Sequence, residues 1–168
     1  RHILFDLDGT LIDSAPAIIA SYRDCFAAAG HEPVRPIDAS IVGPALTETL
    51  HMLTGSTDPA LMEELAGHFK ASYDSTGYLH TAAYEGVSDM LSQLAASGLH
   101  LAIATNKRLH PTQLILQHLG WSAYFEAVYA LDMITPRLPD KATMIARLLA
   151  ERSIPRAAAV YIGDRSED

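Results

Sequence analysis

The sequence predicts an α/β fold: a doubly wound parallel sheet, interrupted after its first strand by an all-helical insertion. Two observations lead to this prediction. From about residue 87 to residue 162, strand-like apolar runs alternate with segments of helical periodicity, as is typical of a parallel sheet wrapped by helices. Residues 15–80, in contrast, show helical periodicity and no strand-like run. We therefore predict a core domain of residues 1–14 and 81–168 and a helical domain of residues 15–80.

The first strand is predicted within His2–Leu7, an apolar run that leads into an Asp-Gly-Thr turn signal. A helix is expected after it, with Ser14 as its cap, Pro16 in its first turn and Gly30 at its end. The prolines between residues 31 and 44 exclude one regular element there. Two further helices are predicted, one over about Leu46–Leu53 and one that carries the apolar positions Leu61, Leu65, Phe69 and Tyr73.

The second half of the chain contains the remaining strands and helices. The pattern predicts, in order, a helix around Val87–Leu94, a strand Leu99–Ala104, a helix Leu114–Leu119, a strand Ala127–Ala130, a helix Lys141–Ala150 and a strand Ala157–Ile162.

Composition narrows the possible partners. Twelve Lys and Arg against twenty Asp and Glu give a net charge of −8, which argues against sequence-independent binding of a nucleic acid polymer. No uncharged apolar run approaches the roughly 20 residues that a membrane span needs, and no signal-peptide pattern is present. Cys25 is the single cysteine, so no intrachain disulfide can form; we expect a cytoplasmic protein with Cys25 in its core.

Familiar nucleotide and metal motifs are missing from the sequence. The eight histidines do not cluster at zinc-ligand spacing, and neither a Walker A loop nor a Gly-x-Gly-x-x-Gly motif occurs. The sequence therefore gives no support for a zinc site or for these two nucleotide-binding motifs.

Two carboxylates directly follow the first predicted strand, in the stretch Asp6-Leu7-Asp8-Gly9-Thr10. Alternation along a strand would place Asp6 and Asp8 on the same side, at the carboxyl edge where open α/β sheets bind ligands. Neighbouring carboxylates raise each other's pKa unless a cation or hydrogen bonds compensate. The pair suggests a metal, a shared proton, or a nucleophile beside an acid; a simple Asp-Gly turn is the structural alternative.

The run from Phe5 to Ser14 resembles the opening motif of the haloacid dehalogenase superfamily, whose phosphatases carry Asp-x-Asp-Gly-Thr after the first strand. The resemblance implies that Asp6 attacks phosphorus and becomes an aspartyl-phosphate. It implies that Asp8 protonates the leaving alcohol and then activates water. An acid at the second position points to phosphate esters rather than to dehalogenation.

The resemblance also implies three later elements, each after a strand. Thr105 would bind a phosphoryl oxygen, Lys141 would offset the charge of nucleophile and phosphate, and Asp164 in the acidic stretch 163–168 would bind Mg²⁺ together with Asp6 and the Asp8 carbonyl. The implied substrate-binding residues are Gly9, Thr105, Asn106 and Lys141. The neighbouring cations Lys107 and Arg108 could reach an anionic substrate or simply face solvent.

Residues 15–80 occupy the place where one branch of the superfamily carries a helical cap, which can exclude water and contribute substrate contacts. Gly43-Pro44 is a candidate substrate-facing loop. The expected activity is Mg²⁺-dependent hydrolysis of a small phosphorylated metabolite, such as phosphoglycolate or a nucleoside monophosphate. A β-phosphoglucomutase-like mutase and a catalytically silent binding module are the alternatives. Monomer and homodimer both remain open, and we expect the chain to be part of a longer protein, because it starts without Met and stops within the last motif.

Overall fold

The computed structural model describes residues 1–165. Its strands are β1 (His2–Phe5), β2 (Ile12–Asp13), β3 (Ala82–Ala83), β4 (His100–Thr105), β5 (Phe125–Ala130) and β6 (Ala159–Ile162). Its α-helices are α1 (Ala15–Ala29), α2 (Leu46–Thr54), α3 (Pro59–Tyr73), α4 (Val87–Ala96), α5 (Leu109–His118) and α6 (Lys141–Glu151). Short 3₁₀ segments occupy Ala39–Ile41, Gly77–His80, Leu131–Met133 and Arg156–Ala158.

Four strands form a parallel sheet in the order β5-β4-β1-β6. Strand β1 is central and pairs on both sides, so Leu4 and Phe5 are almost fully buried, which explains why its sequence is an uninterrupted apolar run. Phe5 lies in register with Ile103 of β4 and Ile162 of β6. The carboxyl ends of these three strands therefore meet at one edge of the sheet, and the predicted α/β class is confirmed.

The chain divides into two compact units. One contains Arg1–Asp13 and the chain from Ala82 onward, with the sheet and helices α4–α6. In the described residues of this unit, no helix is long and apolar enough to cross a membrane, and the same holds for the other unit.

The second unit, Ser14–Thr81, is built from α1, α2 and α3. Helices α1 and α3 pack through aromatic rings, with the centroids of Tyr22 and Phe69 4.4 Å apart. Cys25 is buried beside them, as the sequence predicts. The four-residue apolar spacing of these helices thus forms the core of the unit itself.

A short antiparallel ribbon was not predicted. Ile12 of β2 pairs with Ala83 of β3, and Asp13 pairs with Ala82. Two-residue strands contain no full period of alternation, so their pairing depends on where the rest of the chain brings them, which the local sequence does not encode.

Three local predictions were wrong. Strand β6 begins at Ala159 and not at Ala157, because Arg156–Ala158 forms a 3₁₀ segment. Helix α5 begins at Leu109 and not at Leu114, because the Leu109 N–H donates to Asp132 Oδ1 at 2.8 Å, a cap supplied from a distant loop. Ser14 precedes α1 as predicted, but its side chain makes no capping hydrogen bond. Its ψ of −6° lies outside the extended conformation from which a cap side chain reaches the first-turn amides.

Candidate functional site

Asp6 is the first residue after β1, at the carboxyl edge of the sheet. Its N–H still donates to the Ile162 carbonyl at 2.9 Å, which fixes its backbone to β6. Its carboxylate accepts two hydrogen bonds at 2.7 Å, from the Leu7 N–H to Oδ1 and from Lys141 Nζ to Oδ2. Burial raises the pKa of the Asp6 carboxyl, and the Lys141 ammonium opposes that rise. Asp6 is thus a buried, oriented carboxylate with a cation on one oxygen.

Asp8 lies two residues farther along, in a tight loop. The Leu7 carbonyl accepts from the backbone N–H groups of Thr10, Leu11 and Ile12 at 3.0–3.2 Å, which folds the chain back on itself. Lys107 Nζ donates to both carboxylate oxygens of Asp8, at 3.0 and 3.2 Å. Asp6 and Asp8 therefore each have a lysine of their own, which offsets the repulsion between the two carboxylates.

Asp164 follows β6 and reaches the same loop. The Thr10 hydroxyl donates to Asp164 Oδ1 at 3.2 Å. Gly9 has φ +79°, and a Cβ there would lie 2.5 Å from Asp164 Oδ2. The positive φ favours glycine at this position, and an added Cβ would displace the Asp164 carboxylate.

Thr105 and Lys141 complete the set. Thr105 is the last residue of β4 and is buried, and its hydroxyl oxygen accepts from the Lys107 N–H at 3.2 Å. Asn106 follows it, half-buried. Lys141 is the first residue of α6, and its ammonium lies 5.5 Å from the centroid of the Tyr161 ring.

The predicted site residues therefore lie along the carboxyl edge of the sheet and in its loops. This is the position that their place after the predicted strands indicates. The roles of these residues remain predictions. Of the acidic stretch 163–168, Ser166, Glu167 and Asp168 lie outside the described residues.

Sequence reasoning missed two partners. It left open whether Lys107 reaches an anionic substrate or faces solvent, whereas Lys107 Nζ lies on Asp8, and it did not assign any role to Tyr161. The signal for Lys107 was its position two residues after Thr105, which ends a strand that neighbours β1. Tyr161 gave a weaker signal: it is an aromatic residue one position before the end of an edge strand.

The predicted metal ligands are carboxylates and a main-chain carbonyl. Within residues 1–165, no group of three or more His, Cys, Asp or Glu side chains is arranged to hold a metal ion. Carboxylate and carbonyl oxygens are the donors that Mg²⁺ prefers, so the chemistry of the donor set fits.

A family model described as "Haloacid dehalogenase-like hydrolase" matches residues 3–168. The chain belongs to this family. Two relatives are 34% identical to it. One is a protein named tyrosine-protein kinase PtkA from Mycobacterium tuberculosis, matched over 99% of this chain and 56% of its own length. The other is a phosphoglycolate phosphatase from Rhodobacter capsulatus, matched over 99% of this chain and 76% of its own.

A solved structure of the M. tuberculosis PtkA protein superposes with a TM-score of 0.82 and covers 100% of this chain and 76% of that one. The family resemblance stated from the motifs is therefore confirmed in both sequence and fold. The chain spans a little over half the length of the mycobacterial relatives that it matches. Activity and substrate therefore require direct tests.

Proposed function

We propose that this family member is a Mg²⁺-dependent phosphatase that hydrolyses a small phosphate monoester through an aspartyl-phosphate on Asp6. The observation that carries the proposal is the pair of carboxylates at the carboxyl edge of the sheet, each held by its own lysine. A carboxylate fixed by a backbone amide and a lysine is a competent nucleophile once the phosphoryl charge is offset.

In the first step, an Asp6 carboxylate oxygen attacks phosphorus. The new bond joins Asp6 to the phosphoryl group, and the bond between phosphorus and the alcohol oxygen breaks. Lys141 stays beside Asp6 and offsets the negative charge that builds up there. The Thr105 hydroxyl accepts from Lys107 and can still donate its own proton, so it can bind a phosphoryl oxygen.

Asp8 is the proposed proton carrier. It gives a proton to the leaving alcohol oxygen, and in the second step it takes one from the water that attacks the aspartyl-phosphate. Phosphate is released and Asp6 is regenerated. The two steps need one carboxyl that acts first as acid and then as base, and Asp8 stands two residues from the nucleophile.

Asp6, the Asp8 carbonyl and Asp164 would hold Mg²⁺. When bound, the ion would offset the charge of the phosphoryl oxygens. The Thr10 hydrogen bond to Asp164 and the absence of a Cβ at Gly9 support the carboxylate in this loop. Gly9 and Asn106 are proposed to contact the phosphoryl group beside Thr105 and Lys141.

We also propose that residues 1–14 and 81–168 act as the core domain and residues 15–80 as a cap domain that selects the substrate. The compact helical unit Ser14–Thr81 supports this division. Phosphoglycolate and nucleoside monophosphates are the proposed substrate class, and the similarity to the R. capsulatus phosphoglycolate phosphatase favours the former. We keep a cytoplasmic location and a monomer or homodimer as part of the proposal.

The test is phosphate release with and without Mg²⁺ from phosphoglycolate, sugar phosphates and nucleoside monophosphates. Asp6→Asn is the inactivated variant, and Asp89→Asn, which changes an exposed aspartate of α4, is its matched control. We expect Mg²⁺-dependent release by the wild type and by Asp89→Asn, and none by Asp6→Asn. No release by folded, Mg²⁺-supplied wild type from any of these esters would contradict the proposal.

The same preparation tests the alternatives. A mutase would pass the phosphoryl group to a second sugar phosphate instead of to water, which product analysis distinguishes. Similarity to a protein named as a tyrosine kinase makes transfer from ATP to tyrosine peptides a necessary assay as well. A silent binding module would show none of these reactions.

A further inference from the structure

We propose that Lys107 is a positioning residue for Asp8, and that it directs the Asp8 carboxyl toward the leaving-group oxygen. This inference rests on the proposed function, because it concerns the proton transfer of that reaction. It differs from both expectations for Lys107, which were contact with an anionic substrate and exposure to solvent.

The first support is the geometry of the pair. Lys107 Nζ lies within hydrogen-bond distance of both Asp8 oxygens, at 3.0 and 3.2 Å. A contact with both oxygens restricts rotation of the carboxylate about its last side-chain bond more than a contact with a single oxygen would.

The second support is burial. The side chains of Lys107 and Asp8 are only 7% and 11% exposed. A buried ammonium needs a nearby anion, and the ionised Asp8 carboxylate supplies it within the protein itself; Asp8 takes up a proton before it acts as the acid of the first step. Lys107 therefore contacts the proposed acid, and an ammonium already placed on that carboxylate is a poor candidate for a freely moving substrate clamp.

The third support is that Lys107 is held at both ends. Its N–H donates to Thr105 Oγ1 at 3.2 Å, at the end of β4, while its ammonium reaches the loop that follows β1. Strands β1 and β4 are neighbours in fixed register. Lys107 thus links the phosphate-binding Thr105 to the proton carrier Asp8, and so connects the position of the phosphoryl group to that of the acid.

The chemical consequence depends on the leaving group. As Asp6 bonds to phosphorus and the bond from phosphorus to the ester oxygen breaks, that oxygen takes a proton from Asp8. An alkoxide needs the proton, whereas 2,4-dinitrophenolate leaves readily without it. Misplacing Asp8 therefore slows alkyl esters selectively.

The experiment measures kcat/KM of Lys107→Met with phosphoglycolate and with 2,4-dinitrophenyl phosphate. This parameter includes steps only through release of the alcohol, so the later role of Asp8 as a base does not enter. We expect kcat/KM to fall by about 10- to 100-fold for the alkyl ester and by less than about threefold for the dinitrophenyl ester. Arg156→Met, at an exposed arginine of the unit that contains the sheet, is the matched control and should change neither value.

A double-mutant cycle identifies the route of the effect. If Lys107 acts through Asp8, Asp8→Asn/Lys107→Met is no slower with the alkyl ester than Asp8→Asn alone. This pair also contains no unpaired buried charge, so it remains informative if Lys107→Met does not fold. Lys107→Gln, which keeps a donor, should lose less activity than Lys107→Met.

Two results would overturn the inference: an equal loss of kcat/KM with both esters, or additive effects in the cycle. Failure of the proposed function is separate, since the wild type would then release no phosphate from either ester. A third case separates the two proposals: the wild type is active, Asp6→Asn is inactive, and Lys107→Met loses the same factor in kcat/KM with both esters. That result would reject this inference and leave the proposed function intact.

Discussion

Lys141 Nζ lies 2.7 Å from Asp6 Oδ2, and the two side chains are only 9% and 8% exposed. The pair joins the start of α6 to the end of β1, two elements separated by most of the chain. Its ammonium also lies over the Tyr161 ring, whose hydroxyl donates to the Ala104 carbonyl at 3.1 Å. The nucleophile proposed for this protein is therefore held by a buried ion pair that also joins two distant elements.

Lys141→Met should destabilise the protein, because it leaves the Asp6 carboxylate buried without its cation. Removal of one partner from a buried pair costs about 3–5 kcal/mol in the free energy of unfolding. Urea unfolding measures this cost. Asp6→Asn/Lys141→Met removes both charges and should recover at least half of the loss, and a single variant as stable as the wild type would show that the pair contributes little.

Gly9→Ala should weaken Mg²⁺ binding more than it weakens the fold. The new Cβ would meet Asp164 Oδ2 at 2.5 Å, and the exposed Asp164 side chain can move away. We expect an apparent Mg²⁺ affinity lower by about 10-fold, as is found when support of a metal ligand is lost. Titration of phosphatase activity and the Mg²⁺-induced shift of Tm both measure it.

Gly98→Ala is the matched control for this prediction. Gly98 has φ +74°, almost the same as Gly9, but an added Cβ there would meet nothing within 4 Å. Both variants should lose about 1–2 kcal/mol for a left-handed alanine. Only Gly9→Ala should change the response to Mg²⁺; equal responses in the two variants would remove Asp164 from the proposed metal site.

The sequence predicts the parts of this site that depend on strand ends. Asp6, Thr105 and Asp164 each end or follow a strand, and parallel pairing brings those ends to one edge whatever the details of the loops. The partners of these residues are another matter. Three contacts join segments that are distant in the sequence, and no local sequence pattern predicts them: Lys107 with Asp8, Asp132 with the first turn of α5, and strand β2 with strand β3.

Asp140 should make stability depend on pH. It caps α6, since its Oδ1 accepts the Thr143 N–H at 2.7 Å, and this hydrogen bond lowers the pKa of the Asp140 carboxyl. A lowered folded-state pKa stabilises the protein above the unfolded value of about 3.8, and that contribution is lost as pH falls through the folded-state pKa. The difference in free energy of unfolding between the wild type and Asp140→Ala should therefore be largest at pH 7 and decrease below pH 4.

Urea unfolding of both proteins across this range checks the sign. Asp140→Asn keeps a capping oxygen but has no titrating group there. The difference in free energy of unfolding between Asp140→Asn and Asp140→Ala should therefore stay constant as the pH falls. A gap between the wild type and Asp140→Ala that widens in acid would contradict the assignment of Asp140 as an ionised cap.

Cys25 should be unreactive in the folded protein. Its Sγ donates to the Leu65 carbonyl at 3.0 Å, it is fully buried, and burial raises the pKa of its thiol from 9.0 to about 11. A pKa about two units higher lowers the fraction of thiolate about 100-fold at a given pH, and reagents such as DTNB react with the thiolate. We expect negligible labelling of the native protein at pH 8 and one thiol per chain in urea, since Cys25 is the single cysteine.

The urea dependence of this labelling also tests the proposed division into domains. Cys25 and Leu65 both belong to the helical unit Ser14–Thr81, so the thiol becomes reactive only when that unit opens. Labelling that begins at lower urea than the loss of fluorescence from Trp121, which lies in the other unit, would mean that the helical unit opens by itself. Coincident transitions would mean that the two units unfold together, and would argue against an independently stable cap domain.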